Sequence, residues 1–356
     1  MSEQVTLIVP ETDPRWDRFV ESHPLGMVYH LSGWKRVMEA SFPHMKGHYL
    51  TLLDGTSDNI RAAMPLFEVR SWLTGKRLVS IPFASGCDPL ISTSDDFAIL
   101  FDSSLSLSRK LGISRVEIRT YRALPLVQDG RLGRSGLYKI HYLSLEQGPE
   151  QLWKNFHRSC IRQKISRAIK NELTMRTVES KSDLQAFYRL YVMTRQRLCL
   201  PPQPYTFFES LWDTFFEKNH ITALLAIKDG KPIAGLMLFH FKDRVSAEFG
   251  VSDHTYWDFN PNHYLFWEAI QSACRQGFEV FDFGRTSPHN RELMDFKGRW
   301  GAVEADLVEF QYPRKVRNEV TVREHSGSYQ LMRRLLQYVP ESMFERFGGF
   351  CYRHLG

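Results

Sequence analysis

Hydrophobic positions along this chain switch repeatedly between a spacing of two and a spacing of three to four, and the switches mark out strands and helices. Residues 5–9 form an apolar run that predicts a strand, while 14–22 and 32–41 carry helical spacing, the second helix opened by the hydroxyl of Ser32. Residues 49–53 and 60–69 predict two strands around the turn DGTSDN, and 77–82 completes a meander. The loop ASGCDPLISTSDD then leads to a helix over 97–111, stopped by Gly112 and followed by a strand over 115–119. The second half repeats this order. Strands over 222–227 and 232–241 flank the tight turn KDGK, a third strand covers 245–250, and a helix opened by Asn260, Pro261 and Asn262 runs to Gly277. Residues 278–283 form a mostly apolar strand that carries Glu279 and Asp282. The two helix stops lie about 165 residues apart, which points to a duplication.

Between the halves the pattern predicts one basic helix over 149–173, in which cations that include Arg158, Arg162 and Lys164 are set among apolar residues such as Phe156, Ile161 and Ile165, several of the cations sharing a face at spacings of three or four. Such a face is either solvated or a ridge for the phosphates of RNA or of a nucleotide-linked substrate. Ser182 is expected to cap a helix running to about 199, and an aromatic-rich helix follows over 205–218. Beyond residue 312 the texture changes: 315–323 is charged, HSGS is a linker, and 329–339 and 341–347 are short amphipathic helices bearing arginines. This tail, 315–356, packs on the second domain or makes peripheral contact with an anionic membrane surface.

Composition narrows the class. A chain of 356 residues suits two domains, and 43% hydrophobic with 24% charged residues is globular. No apolar run is long enough to span a bilayer and no signal-type segment opens the chain, so the expected location is cytoplasmic, with the inner face of the membrane as a place of contact. The five cysteines are scattered without metal or dithiol spacing, and no metal is expected. A net charge of +6 is compatible with an anionic partner.

Candidate chemistry gathers where the last predicted strand ends. Asp282, Gly284 and Arg285 sit at its carboxyl end, a favoured place for function in open α/β sheets. Arg285 either clamps a phosphate or carboxylate bidentately or pairs with Asp282 or Glu304. Glu248, in AEFG, and Asp282 are candidate general bases, as are His263 and Asp88 of the loop GCDPL, with Asp88 also a candidate for acceptor binding. Asn262, His263 and Tyr264 present a helix amino terminus suited to a phosphate or a terminal adenosine. There is no Gly-x-Ser-x-Gly elbow and no convincing cysteine nucleophile, which favours direct attack without a covalent enzyme intermediate.

Two series of a meander, a crossover helix and a further strand have the layout of GNAT acyltransferase domains. The segment NPNHYLFWEAI…GFEVFDFGRTS…LMDFKGRWG resembles the signature region of the FemAB/FemX family of peptidyl-type acyltransferases, and IRQKISRAIKNEL with DLQAFYRLYVMTRQR is similar to the start of that family's second domain. The tail YVPESMFERFGGFCYRHLG resembles FemAB-like proteins found with exopolysaccharide and exosortase loci. The resemblance implies an α/β fold of two tandem GNAT-like domains, here 1–136 and 137–314, with the acceptor between them and the donor at the second. It implies transfer of an aminoacyl group from aminoacyl-tRNA to an amine of a cell-envelope saccharide or peptide, with no tightly bound cofactor. An acyl-CoA donor and a non-catalytic nucleic-acid-binding or scaffold protein are the alternatives.

Within that resemblance Phe296 and Lys297 match the family's phenylalanine–lysine pair, whose lysine supports charge developing on the transferred carbonyl. The segment HLSGWKRVMEASF, containing Trp34, resembles the family's glutamine-serine-tryptophan-lysine segment, which helps hold a nucleotide-linked acceptor. Met38 stands where that lysine is expected, with Lys35 and Arg36 nearby, which points away from a nucleotide-linked muropeptide. No heptad run provides the coiled-coil arm of some members.

Overall fold

In the computed structural model, residues 5–55, 58–72, 75–314, 336 and 339–354 are described. The chain divides into two compact units, one of residues 1–138, 306–326 and 350–356, the other of 139–305 and 327–349.

The first unit begins with β1 (Val5–Ile8), α1 (Pro14–Ser22), α2 (Ser32–Ser41), β2 (Met45–Leu53), β3 (Ile60–Ser71) and β4 (Gly75–Val79). Helix α3 (Ser94–Lys110) and β5 (Val116–Thr120) follow. Strands β1 to β4 pair antiparallel in sequence order, and β4 pairs parallel with β5. A parallel pair needs a crossover, and α3 supplies it. Thr93 starts α3 with a reciprocal cap to Asp96, which places the first turn ahead of its first apolar residue, Phe97. Phe97, Leu100 and Phe101 are fully buried against Leu52, Leu66 and Leu78 of the sheet.

Strand β6 (Gly133–Ser144) leads into the second unit, through α4 (Gly148–Asn155), α5 (Gln163–Lys170), β7 (Thr174–Thr177), α6 (Lys181–Arg197) and α7 (Tyr205–Phe215). Then come β8 (Ile221–Lys228), β9 (Lys231–Phe241), β10 (Arg244–Ser252), α8 (Pro261–Arg275), β11 (Val280–Thr286), α9 (Arg291–Gly298) and β12 (Val303–Tyr312). Strands β7 to β10 pair antiparallel, and β10 pairs parallel with β11 across α8. The expected duplication is therefore present strand for strand. Leu265, Ala269, Ile270 and Ala273 of α8 pack into a core with Leu236, Leu238 and Phe281.

The strand that completes each series was not foreseen. Strand β6 follows β5 in the chain but pairs with β11, whereas β12 follows β11 and pairs with β5. Residues 308–312, read from sequence as part of the second domain, thus pair with β5 of the first unit.

Three local expectations change. The predicted basic helix over 149–173 is broken: Phe156 and His157 adopt extended backbone, and a π-helical turn at Arg158–Arg162 precedes α5. His157 caps that turn by accepting from the backbone N–H of Cys160, and Phe156 packs between Trp267 and Trp300. Helix α6 is capped by Ser180, two residues earlier than Ser182, because Ser180 is the extended residue whose hydroxyl accepts from Asp183 N–H. The strand predicted over 278–283 is β11, shifted to Val280–Thr286, so Arg285 lies inside it. Of the tail, the charged segment 315–323, the HSGS linker and most of the helix expected over 329–339 lie outside the described residues. The last expected helix is present as Glu341–Tyr352.

Candidate active site around Lys297

The site is built on an irregularity of β11. Asp282 pairs with Tyr142 and Arg285 with Ile140, so Phe283 and Gly284 together stand opposite His141 in a bulge. Gly284 takes φ +73°, a left-handed conformation that glycine adopts without a Cβ clash. Its N–H is held by Asp282 Oδ1 at 2.7 Å, and its carbonyl is turned to α9.

Helix α9 brings the cation. Asn290 caps it by accepting from Leu293 N–H, and Lys297 lies in its last turn, where a positive charge suits the helix dipole. Lys297 is only 4% exposed, although the sequence alone allows a loop cation. Its Nζ donates to the carbonyls of Gly284 at 2.8 Å and Arg285 at 3.4 Å. An ammonium has three N–H donors, so among the described residues one is left for a further oxygen. Burial lowers the Lys297 pKa to about 8, against the opposing pull of Asp282 and Glu248. The group therefore stays predominantly cationic at neutral pH while being poorly solvated, which makes its field strong. Phe296 sits beside it in an aromatic cluster with His263 (5.3 Å) and Phe266 (5.7 Å), and Phe266 stacks on Phe283 at 5.5 Å.

Of the other candidates, the structure brings Asp282 and Glu248 into the field of Lys297. Asp282 is buried and its Oδ2 pairs with Arg244 at 3.0 Å, a partner the sequence did not suggest for it. Glu248 lies at a second irregularity, between Ala247 and Phe249 of β10. Arg285 follows the bulge and is half-buried. His263 and Tyr264, in the first turn of α8, point into packing: burial pushes the His263 imidazole down to about 4 and raises the Tyr264 phenol. Asn262 Nδ2 reaches Ser252 Oγ at 3.4 Å. Arg158 is exposed and Arg162 half-buried on the π-helical turn.

Asp88 and Trp34 belong to the first unit. Asp88 is 2% exposed and accepts from Thr120 Oγ1 (2.6 Å) and from the backbone N–H groups of Tyr121, Arg122 and Ala123. That engagement accounts for both oxygens. Trp34 is 1% exposed and packs edge-on to Tyr29 at 4.9 Å. Both are buried in this geometry.

Beside α9 a cavity of about 630 Å³ is lined by Asn155, His157, Arg291, Asp295, Arg299 and Glu304, among others. It carries both signs of charge, as a site for an amine or a zwitterion would. Sequence reading did not single out His141, which lies on β6 facing the bulge, is 0% exposed and stands 3.7 Å from Glu304. A lone histidine in an apolar run gives no signal until β6 is known to pair with β11. Among the described residues no group of three or more His, Cys, Asp or Glu is placed to hold a metal ion, and no helix is long and apolar enough to cross a membrane.

An antiparallel meander followed by a parallel strand pair joined by one crossover helix is the layout of a GNAT domain. Residues 155–297 match the family model for the acetyltransferase (GNAT) domain. A stretch of 103 residues is 30% identical to the Lipid II:glycine glycyltransferase of Staphylococcus haemolyticus, covering 27% of this chain and 25% of that protein. The chain thus spans about a quarter of the length of that curated relative. The crystal structure of FemX superposes with a TM-score of 0.70 over 94% of this chain and 100% of its own, at 15% identity. A tandem GNAT protein from the clavulanic acid biosynthesis pathway gives 0.56 over 89% and 100%, at 11% identity. These matches show an acetyltransferase (GNAT) domain over residues 155–297 and, along most of the chain, the fold of FemX and of a tandem GNAT protein.

Proposed function

We propose that the chain transfers an aminoacyl group from an activated ester, aminoacyl-tRNA, to an amine of a bacterial cell-envelope precursor by direct attack. The observation that carries this reading is Lys297, held by Gly284 and Arg285 carbonyls with one N–H donor to spare among the described residues. As the amine adds to the ester carbonyl, negative charge builds on oxygen. A preorganised, poorly hydrated cation at that oxygen stabilises the charge without proton transfer. Arg285 and the basic turn at Arg158 and Arg162 are candidate contacts for donor phosphates. The glycyltransferase relative supports glycine as a first donor and lipid II as a first acceptor to try. An exopolysaccharide amine is a second acceptor class, and contact with the cytoplasmic face of the membrane follows from a lipid-linked acceptor.

The test is radiolabelled transfer from glycyl-tRNA to lipid II, with acetyl-CoA as a parallel donor. The expected result is transfer from the tRNA ester and a loss of about a hundredfold or more in Lys297→Met. Transfer from acetyl-CoA alone would replace the donor class, and undiminished transfer by Lys297→Met would remove the mechanism.

A further inference from the structure

His141 is placed where a merely packed histidine would be costly. It is 0% exposed, and among the described residues neither ring nitrogen has a hydrogen-bond partner. A buried polar group left so is destabilising and calls for a reason. Three charged neighbours stand around it among the described residues. Lys297 on α9 and Lys139 on its own strand both disfavour the imidazolium, and Glu304, at the start of β12, stands 3.7 Å from Nε2. Burial and the two lysines win, holding the imidazole down to about 4. Glu304 does not reverse this, since its side chain is 45% exposed and its charge is screened by water. The imidazole therefore stands in the field of the buried ammonium and 3.7 Å from a carboxylate that lines the 630 Å³ cavity.

We propose that Glu304 and His141 form the proton-accepting arm of the transferase, with Glu304 meeting the acceptor amine in the cavity and His141 behind it taking the proton. This rests on the acyl-transfer reading given above. The nitrogen lone pair forms the new C–N bond, and the carbonyl π electrons move to oxygen at Lys297. The N–H proton passes through Glu304 to His141. Collapse of the adduct breaks the ester C–O bond and the departing alcohol oxygen takes up that proton, so amine and ester give amide and alcohol with no external base. The arm is timed by electrostatics. At rest burial, with Lys297 and Lys139 adding to it, keeps His141 unprotonated, and the anion that forms beside Lys297 offsets that lysine's share, so the imidazole gains basicity as the nitrogen becomes acidic.

Two measurements test the arm on the full chain. In ¹⁵N-histidine NMR, with the resonance assigned through His141→Gln, the wild-type imidazole should stay neutral to about pH 4 and Lys297→Met should move its midpoint up toward 6.5. An unmoved midpoint overturns the coupling and the proposal with it. In the glycyl-tRNA and lipid II assay, His141→Gln and Glu304→Gln should each lower kcat on the order of a hundredfold with the KM for glycyl-tRNA unchanged. Glu304→Gln is at the surface and keeps the measurement open if His141→Gln fails to fold. Wild-type rates in Glu304→Gln beside a dead Lys297→Met would remove the arm and leave the transfer reading intact. An active Lys297→Met would remove both.

Discussion

At the residue scale the molecule keeps a charge where solvation is poor, and this leaves a mark on stability. The ordinary lysine value is 10.5 and the folded value is about 8. Below pH 8 both folded and unfolded chains hold the proton, and the full cost of burying the ammonium is present. Between 8 and 10.5 the folded chain sheds the proton first, so stability rises with pH through that window, by on the order of 3 kcal/mol. Denaturant unfolding at pH 7 and pH 10.5 should therefore show wild type gaining relative to Lys297→Met. Parallel pH dependences for the two proteins would mean that Lys297 is solvated. Phe296 and Lys297 were legible in the sequence only through a family resemblance. What the pattern could not give is the burial, since a single cation after an apolar stretch looks the same in a loop as in the last turn of a capped helix.

At the scale of elements, loops and bulges fix the functional groups more than the regular parts do. Asp88 illustrates this in the first unit. A polar residue in a Gly- and Pro-bearing loop reads as a site residue, yet its carboxylate ties the loop to residues 120–123 through four donors. Asp88→Asn replaces an acceptor-only group by one whose amide hydrogens meet backbone N–H groups. The expected cost is about 2–3 kcal/mol, read as a lower unfolding midpoint. A neutral outcome, with weakened acceptor binding, would return Asp88 to the site. The bulge at Phe283 and Gly284 was likewise invisible: GRT at a strand end gives the glycine but not the partner strand, and the bulge exists only because β6 pairs there.

Across the whole molecule, three of the described histidines, all in the second unit, are held down to about 4 mainly by desolvation: His141 and His240, which are buried, and His263, which is half-buried. An unfolded histidine titrates near 6.5, so between pH 6.5 and 4 the unfolded chain binds up to three more protons than the folded one. Stability falls as pH falls through that window, with a slope near pH 5 of about 4 kcal/mol per pH unit from these groups. Urea midpoints between pH 7 and 5 should show it. His263→Phe, which keeps the ring packed against Phe296 and Trp300, should flatten the slope by one proton. An unchanged slope would place His263 in contact with water.

The sequence by itself determined the local elements of both series: their periodicity, the stops at Gly112 and Gly277, and the proline entry to α8, because each depends on residues within a few positions of one another. It also made the duplication readable, since the two meanders and crossover helices recur in order. Only the tertiary structure decided which strand completes each series, that β11 bulges at Gly284, and that Lys297, Asp282, Glu248 and His141 share one electrostatic environment. Those are long-range pairings, and an apolar alternation such as that of β6 suits any neighbour until the backbone hydrogen bonds choose one.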